Sequence, residues 1–194
     1  MITNSRPTRA EITDVANAIY DGTSAIMLSG ETAAGHYPVE AVKTMALIAE
    51  TTENNINYRK QFEIRSGGGE YVCTEITEAI SHASVTTAHD LHAKAIITVT
   101  KGGTTARRLS KFRTQCPIIA LTTSEVTARQ MSMSWGLVPG IVEEQSDSDA
   151  LITIALKKSV EMGILKPGDL VVVTAGVPLG VSGNTNMMRV EIVK

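Results

Sequence analysis

From residue 74 onward the chain alternates two kinds of segment, and that alternation limits its fold more than any other feature. Stretches with apolar residues at helical spacing are "TEITEAISHASVTTAHDL", "TTARRLSKFR", "SEVTARQMSMSW" and "SDALITIALKKSVEMG". Each is followed by a short, nearly continuous apolar run: "AIITVT", "PIIALT", "LVPGIV" and "DLVVVTAG", with "MMRVEIV" closing the series. A strand that is apolar at successive positions has both faces covered. Helix and strand alternating over short connections predict an α/β domain with three α/β/α layers and a mostly parallel sheet. The last two runs leave no room for a helix between them, so one of those strands is free to be antiparallel.

The beginning of the chain does not follow this rhythm. "RPTRAEITDVANAIYDG" predicts a helix with Pro7 in its first turn and Ile12, Val15, Ala16 and Ile19 on one face. Gly22 can end it. "SAIMLSG" is a short apolar run bounded by turn residues, which predicts a buried strand. "YPVEAVKTMALIAETTENNI" predicts a second helix, with Val42, Met45, Ala46 and Ala49 sharing a face. One strand is not a sheet, and a helix–strand–helix unit this small buries too little to stand alone. Residues 1–56 are therefore expected to be a partial remnant of a larger structure. The stretch 57–73 is charged and then carries "SGGGE", whose consecutive glycines are costly to order inside an element. It is expected to be a linker, leaving 74–194 as the α/β domain.

Composition excludes several function classes. The net charge of −2 argues against a broad nucleic-acid or membrane surface. No run of about 18 apolar residues is present, and the first residues lack the pattern of an export signal. Cys73 and Cys116 are the only cysteines. Without an export signal they are expected to be reduced thiols in a cytoplasmic protein, with Cys116 packed at a strand start.

Two stretches can carry chemistry. In "IMLSGETAAGHYPVEAV", Ser29, Glu31 and Thr32 follow the carboxyl end of the expected strand, where barrels of alternating strands and helices build their sites. The same residues also suit a plain turn and a helix cap, and the residue types alone leave both readings open. In "VTKGGTTARR" an apolar run stops, a glycine pair follows and a helix begins. Thr100, Lys101, Gly102, Gly103, Thr104 and Thr105 would present amides, hydroxyls and a charge at a helix N-terminus, a ready anion site, with Arg107 near. It is not a Walker loop, because the lysine precedes the glycines. A capped helix with a glycine entry is the plainer alternative.

"RPTRAEITDVANAIYDGTSAIMLSGETAAGHYPVEAV" closely resembles pyruvate kinases, and "TAGVPLGVSGNTNMMRV" resembles the carboxyl terminus of the bacterial members. The likeness extends over essentially the whole chain. It implies that residues 1–56 match the closing part of a (β/α)8 barrel. It likewise implies that 74–194 match the domain that binds effectors and helps assemble a homo-oligomer, a tetramer in the family. The family transfers phosphoryl from phosphoenolpyruvate to ADP, giving pyruvate and ATP in glycolysis, with Mg²⁺ and commonly K⁺. Its catalytic lysine and its Glu and Asp ligands of Mg²⁺ belong to earlier barrel strands and have no counterpart here. The chain alone is therefore expected to be inactive and to hold no cofactor. Ser29 and Glu31 would line the rim of the active site, Arg9 would support a neighbouring active-site segment, and Arg6 lies near. A free-standing phosphate-ligand sensor or an oligomerisation module is the alternative.

The resemblance also places effector binding at the turn formed by Thr100, Lys101, Gly102, Gly103, Thr104 and Thr105, joined by Ser182, Gly183 and Asn184. Members that use fructose bisphosphate often have serine where Gly102 stands, and Trp and Arg in the loop that here reads "AGVPLGVSGNTN". Without that arginine a second phosphate is poorly neutralised. The expected effector is therefore AMP or a sugar monophosphate.

The remaining candidates point to structure. His82, His89 and His92 lie on one expected helix, without the Cys or carboxylate spacing of a metal site, and read as surface histidines. Glu143, Glu144, Asp147 and Asp149 read as a solvated loop that caps a helix. Trp135 reads as packing.

Overall fold

A computed structural model describes residues 1–67, 71–181 and 183–194. The chain forms two compact units, Met1–Asn57 and Tyr58–Lys194.

The first unit is helical. Helix α1 (Arg9–Tyr20) begins at a capping box: the Thr8 hydroxyl accepts from the Glu11 amide at 3.2 Å, and the Glu11 carboxylate accepts from the Thr8 amide at 2.7 Å. One helical turn, α2 (Gly30–Ala33), and the longer α3 (Pro38–Glu53) follow. Pro38 opens α3, where no amide is needed. The inward side of α3 carries Ala41, Met45, Ile48 and Thr52. Val42 and Ala46, expected on that side, are exposed, so the buried stripe is offset by about one residue.

"SAIML" is not a strand. Residues 24–28 run without regular structure into α2. A strand exists only through hydrogen bonds to a neighbour, and an apolar run does not supply one. Met27 is 84% exposed and Leu47 63%, so this unit leaves large apolar side chains uncovered.

The second unit starts with helix α4 (Tyr58–Arg65), inside the stretch expected to be linker. "YRKQFEIR" is strongly polar, and only Phe62 on it is buried. Then helix and strand alternate: α5 (Ile76–Asp90), β1 (Ala95–Val99), α6 (Thr104–Lys111), β2 (Ile118–Thr122), α7 (Glu125–Met131), β3 (Leu137–Ile141), α8 (Ser148–Glu161), β4 (Leu170–Ala175) and β5 (Met187–Ile192). The sheet order is β3-β2-β1-β4-β5. The β3–β2, β2–β1 and β1–β4 pairs are parallel, and β5 is antiparallel to β4. This is the expected α/β fold with a mostly parallel sheet.

Alternate strand positions feed two cores. Ile96, Ile118 and Val172 face Phe62, Val85, Leu109 and Met131 from α4, α5, α6 and α7. Their neighbours Ile97, Ile119 and Val173 face Ile152 and Ala155 from α8. All six strand side chains are fully buried, each stabilising the fold by about 1.5–3 kcal/mol. The strands had to be apolar at successive positions because both faces carry helices. Pro139 lies in β3, at the edge of the sheet, where its missing donor is tolerated.

Candidate functional site

The order of the strands fixes where a crevice opens. From β1 the chain steps to β2 and β3 on one side, then returns to place β4 on the other side of β1. The connections after β1 and β4 therefore diverge beyond the carboxyl ends of these strands, the usual binding position of an open α/β sheet. A pocket lies there. Thr100 and Lys101 after β1, Thr122 at the end of β2, Glu143 and Glu144 after β3, and residues of the 176–185 loop after β4 line it.

The turn from β1 into α6 is built by its own hydrogen bonds. The Gly103 amide donates to the Thr100 hydroxyl at 3.1 Å, and Arg107 donates to the Gly102 carbonyl at 2.9 Å. Gly103 has φ of +79°, the left-handed region, and a Cβ there would meet the Arg107 guanidinium at 3.0 Å. The first amides of α6 have no acceptor within the helix and, with the helix dipole, favour an anion at this end. Gly102, Thr104 and the Lys101 side chain are exposed.

Thr105 is buried, and its hydroxyl is already bonded to that of Thr185. It ties α6 to the β4–β5 loop. Sequence reasoning selected Thr105 and missed Thr185, which lies 80 residues away. That loop is cinched at its neck: Asn186 accepts from the Val177 amide at 2.8 Å and donates to the Val177 carbonyl at 2.6 Å. Gly176 is required here, because a Cβ would stand 2.3 Å from the Asn184 carbonyl oxygen. The Gly183 carbonyl accepts from Thr77 of α5 at 2.9 Å. Asn184, also selected from sequence, donates its side-chain amide to the Val177 carbonyl at 3.2 Å, and Ser182 lies outside the described residues.

Of the residues selected in the first unit, Ser29 and Glu31 come together. The Ser29 amide donates to the Glu31 carboxylate at 3.1 Å. The amides of Glu31 itself and of Ser29 hold this carboxyl below the usual range. Arg6 and Arg9 are exposed on and before the start of α1. Among the described residues no group of three or more His, Cys, Asp or Glu side chains is arranged to hold a metal ion.

The histidines of α5 are not surface groups. His82 and His89 are half-buried and both pack on Phe62, at ring-centroid distances of 5.0 and 5.2 Å. Asp147 caps α8, accepting from the Ala150 amide at 2.9 Å. Asp149 pairs with Arg189 at 2.7 Å. Trp135 packs against Tyr58 at 5.9 Å and under Arg113 at 5.3 Å. Cys116 packs against the core, and burial pushes its thiol up to about 11. No helix among the described residues is long and apolar enough to cross a membrane.

Residues 78–191 match the family model described as pyruvate kinase, alpha/beta domain, and residues 1–42 match that of the pyruvate kinase barrel domain. A pyruvate kinase of Clostridium acetobutylicum is 52% identical over the whole chain, which spans 40% of that relative. Pyruvate kinases of Staphylococcus epidermidis and Staphylococcus aureus are each 50% identical over 98% of this chain and 32% of their own length. The α/β unit, its strand-end crevice and these matches over both units agree: the chain belongs to the pyruvate kinase family.

Proposed function

We propose that this chain carries the effector-binding α/β module of a pyruvate kinase, residues 74–194, joined through 57–73 to the closing part of its barrel, residues 1–56. The observation that carries the reading is the crevice where the strand order reverses. There the amides opening α6, the Lys101 ammonium and the 176–185 loop border one opening, the arrangement that binds a phosphate. Thr100 and Gly103 hold the turn in shape. Gly102 and Thr104 offer exposed contacts, and Thr105 is bonded to Thr185 at the end of the loop after β4. Glu143 and Glu144 line the same crevice and would repel a second phosphate. A monophosphate, AMP or a sugar monophosphate, is therefore the favoured effector over a bisphosphate.

In the whole enzyme this module would regulate phosphoryl transfer from phosphoenolpyruvate to ADP, with Mg²⁺ and K⁺, in a cytoplasmic homo-oligomer. Ser29, Glu31 and Arg9 would serve only the periphery of that active site. Phosphoryl transfer needs cations placed on the transferring group. By the resemblance, the family's Glu and Asp ligands of Mg²⁺ belong to earlier barrel strands, and no residue here matches them. The chain alone is inactive as a phosphotransferase. A coupled assay with phosphoenolpyruvate, ADP, Mg²⁺ and K⁺ tests this, and turnover well above background would refute it. Titration calorimetry with AMP, glucose 6-phosphate and fructose 1,6-bisphosphate tests the effector. Far tighter binding of the bisphosphate would overturn the preference, and no heat from any of the three would remove the site itself.

A further inference from the structure

Helix α4 is a short polar helix with one buried side chain, Phe62. Alone in water a helix of its length is marginal, so its order depends on docking. Phe62 supplies the docking by entering an aromatic cluster. His82 stacks on it at 5.0 Å, His89 meets it edge-on at 5.2 Å, and Phe112 lies at 5.7 Å. Tyr71 stacks on the other histidine partner, His82, at 4.0 Å and 5°. Both histidines come from α5, seven residues apart and hence on one helix face.

We propose that α4 is a pH-released latch: His82 and His89 hold Phe62 in their neutral forms, and protonation frees the helix. His89 carries the larger share. Both of its ring nitrogens are shut off from solvent and have no hydrogen-bond partner among the described residues. A neutral ring tolerates this as a largely apolar plate, whereas an imidazolium would bury two unmatched N–H donors and a charge. His82 is better provided for, since its Nε2 lies 3.2 Å from the Ser66 hydroxyl, and an aromatic face partly compensates a cation.

The charged surroundings do not reverse this. On the α4 side Arg59 faces His89 and opposes its protonation, but Arg59 is itself paired with Asp90 at 3.1 Å and, more loosely, with Glu63. From α5 Asp90 favours the proton, and its influence is the smaller. His92, Lys94 and the neutral Cys116 thiol share the cavity beside His89, and Lys94 adds positive charge. Around His82, the Tyr71 hydroxyl donates to Glu78 at 2.8 Å, and Arg108 of α6 pairs with Glu75 and Glu78. Burial lowers the proton affinity of both histidines.

The sign follows. Undocked, each histidine titrates near 6.5; docked, it titrates lower. Docking is thus at full strength above about pH 6.5 and weakens as pH falls from there toward the docked value, by up to about tenfold per pH unit per histidine. Helix α4 opens the second unit, so release frees that unit's first helix from its core.

The whole chain supplies its own reporter, because Trp135, the single tryptophan, packs on Tyr58 at the start of α4. We expect Trp135 emission and amide exchange at Ser66 to show α4 opening between pH 7.5 and about 5.5. After correction for intrinsic exchange, core amides such as Ile97 and Val172 should stay protected. The His82→Phe/His89→Phe variant, still aromatic but unable to titrate, should keep α4 docked over the same range. Opening of α4 only together with the core, or an unchanged pH response in the double variant, overturns the proposal. Should that variant fail to fold, histidine NMR on the unmodified chain decides. A His89 value below 6.5, titrating together with α4 release, supports the latch, and a value at or above 6.5 with α4 docked throughout sinks it.

Discussion

The Thr105 and Thr185 hydroxyls bond one another in the interior, each residue 4% exposed, joining α6 to the loop after β4. Removing one member leaves the other buried without its partner. Thr105→Val and Thr185→Val should each destabilise the chain by about 1–3 kcal/mol, while the double variant should cost less than their sum. Urea unfolding of the four proteins forms the cycle. Strict additivity would mean that the two hydroxyls act independently.

Gly176 and Gly163 make a controlled pair for backbone space. A Cβ at Gly176 would lie 2.3 Å from the Asn184 carbonyl oxygen, whereas Gly163, at φ of +72°, has open space around it. Gly163→Ala should cost only the left-handed strain, about 1 kcal/mol. Gly176 is not in the left-handed region, so Gly176→Ala carries no such strain and must instead force open the neck of the loop, which should cost more and weaken phosphate-ligand binding as well. Thermal unfolding combined with calorimetry checks both. Equal losses in stability would show that the neck can yield.

The contrast between what sequence did and did not reveal has a physical basis. Runs such as "AIITVT" announced β1 because burial on both faces demands apolar residues at every position. "SAIML" has the same local character and is no strand, since pairing depends on a neighbour that a single segment cannot specify. Helix α4 was hidden for the opposite reason: seven of its eight residues are unburied, and the eighth, Phe62, docks on histidines that come later in the chain. The Gly103 turn was legible because a glycine before a helix is a local signal. Thr185 and the two glutamates of the crevice were not, because only the sheet order brings them there.

Lys101 is exposed beside the opening of α6, so its removal should leave folding unchanged and affect only an anion bound there. A charge-assisted contact of this kind contributes about 1.5–3 kcal/mol. Lys101→Ala should therefore weaken binding of AMP or glucose 6-phosphate about tenfold or more, with no shift in thermal midpoint of the free chain. Glu144→Gln should act oppositely on fructose 1,6-bisphosphate, strengthening it relative to a monophosphate by relieving repulsion. Calorimetry at two salt concentrations distinguishes these effects, since both should shrink as screening rises. An unchanged affinity in Lys101→Ala would remove the phosphate from this turn.

Phe62→Ala tests how far the order of α4 rests on one ring. A buried phenylalanine replaced by alanine in a rigid core costs about 3–5 kcal/mol. Here the loss has a ceiling: once α4 detaches, no further docking energy remains to be lost, and the sheet beneath keeps Ile96, Ile118 and Val172. The global cost should therefore fall below that range. Local exchange at Ser66 should rise to nearly the rate of an unstructured amide at pH 7.5, where both histidines are neutral in the intact chain. The variant should also lose the pH response of Trp135 emission, because the helix is already free. A full core-sized loss, with Ser66 still protected, would mean that α4 is held by contacts other than Phe62, the Arg59–Asp90 pair foremost among them.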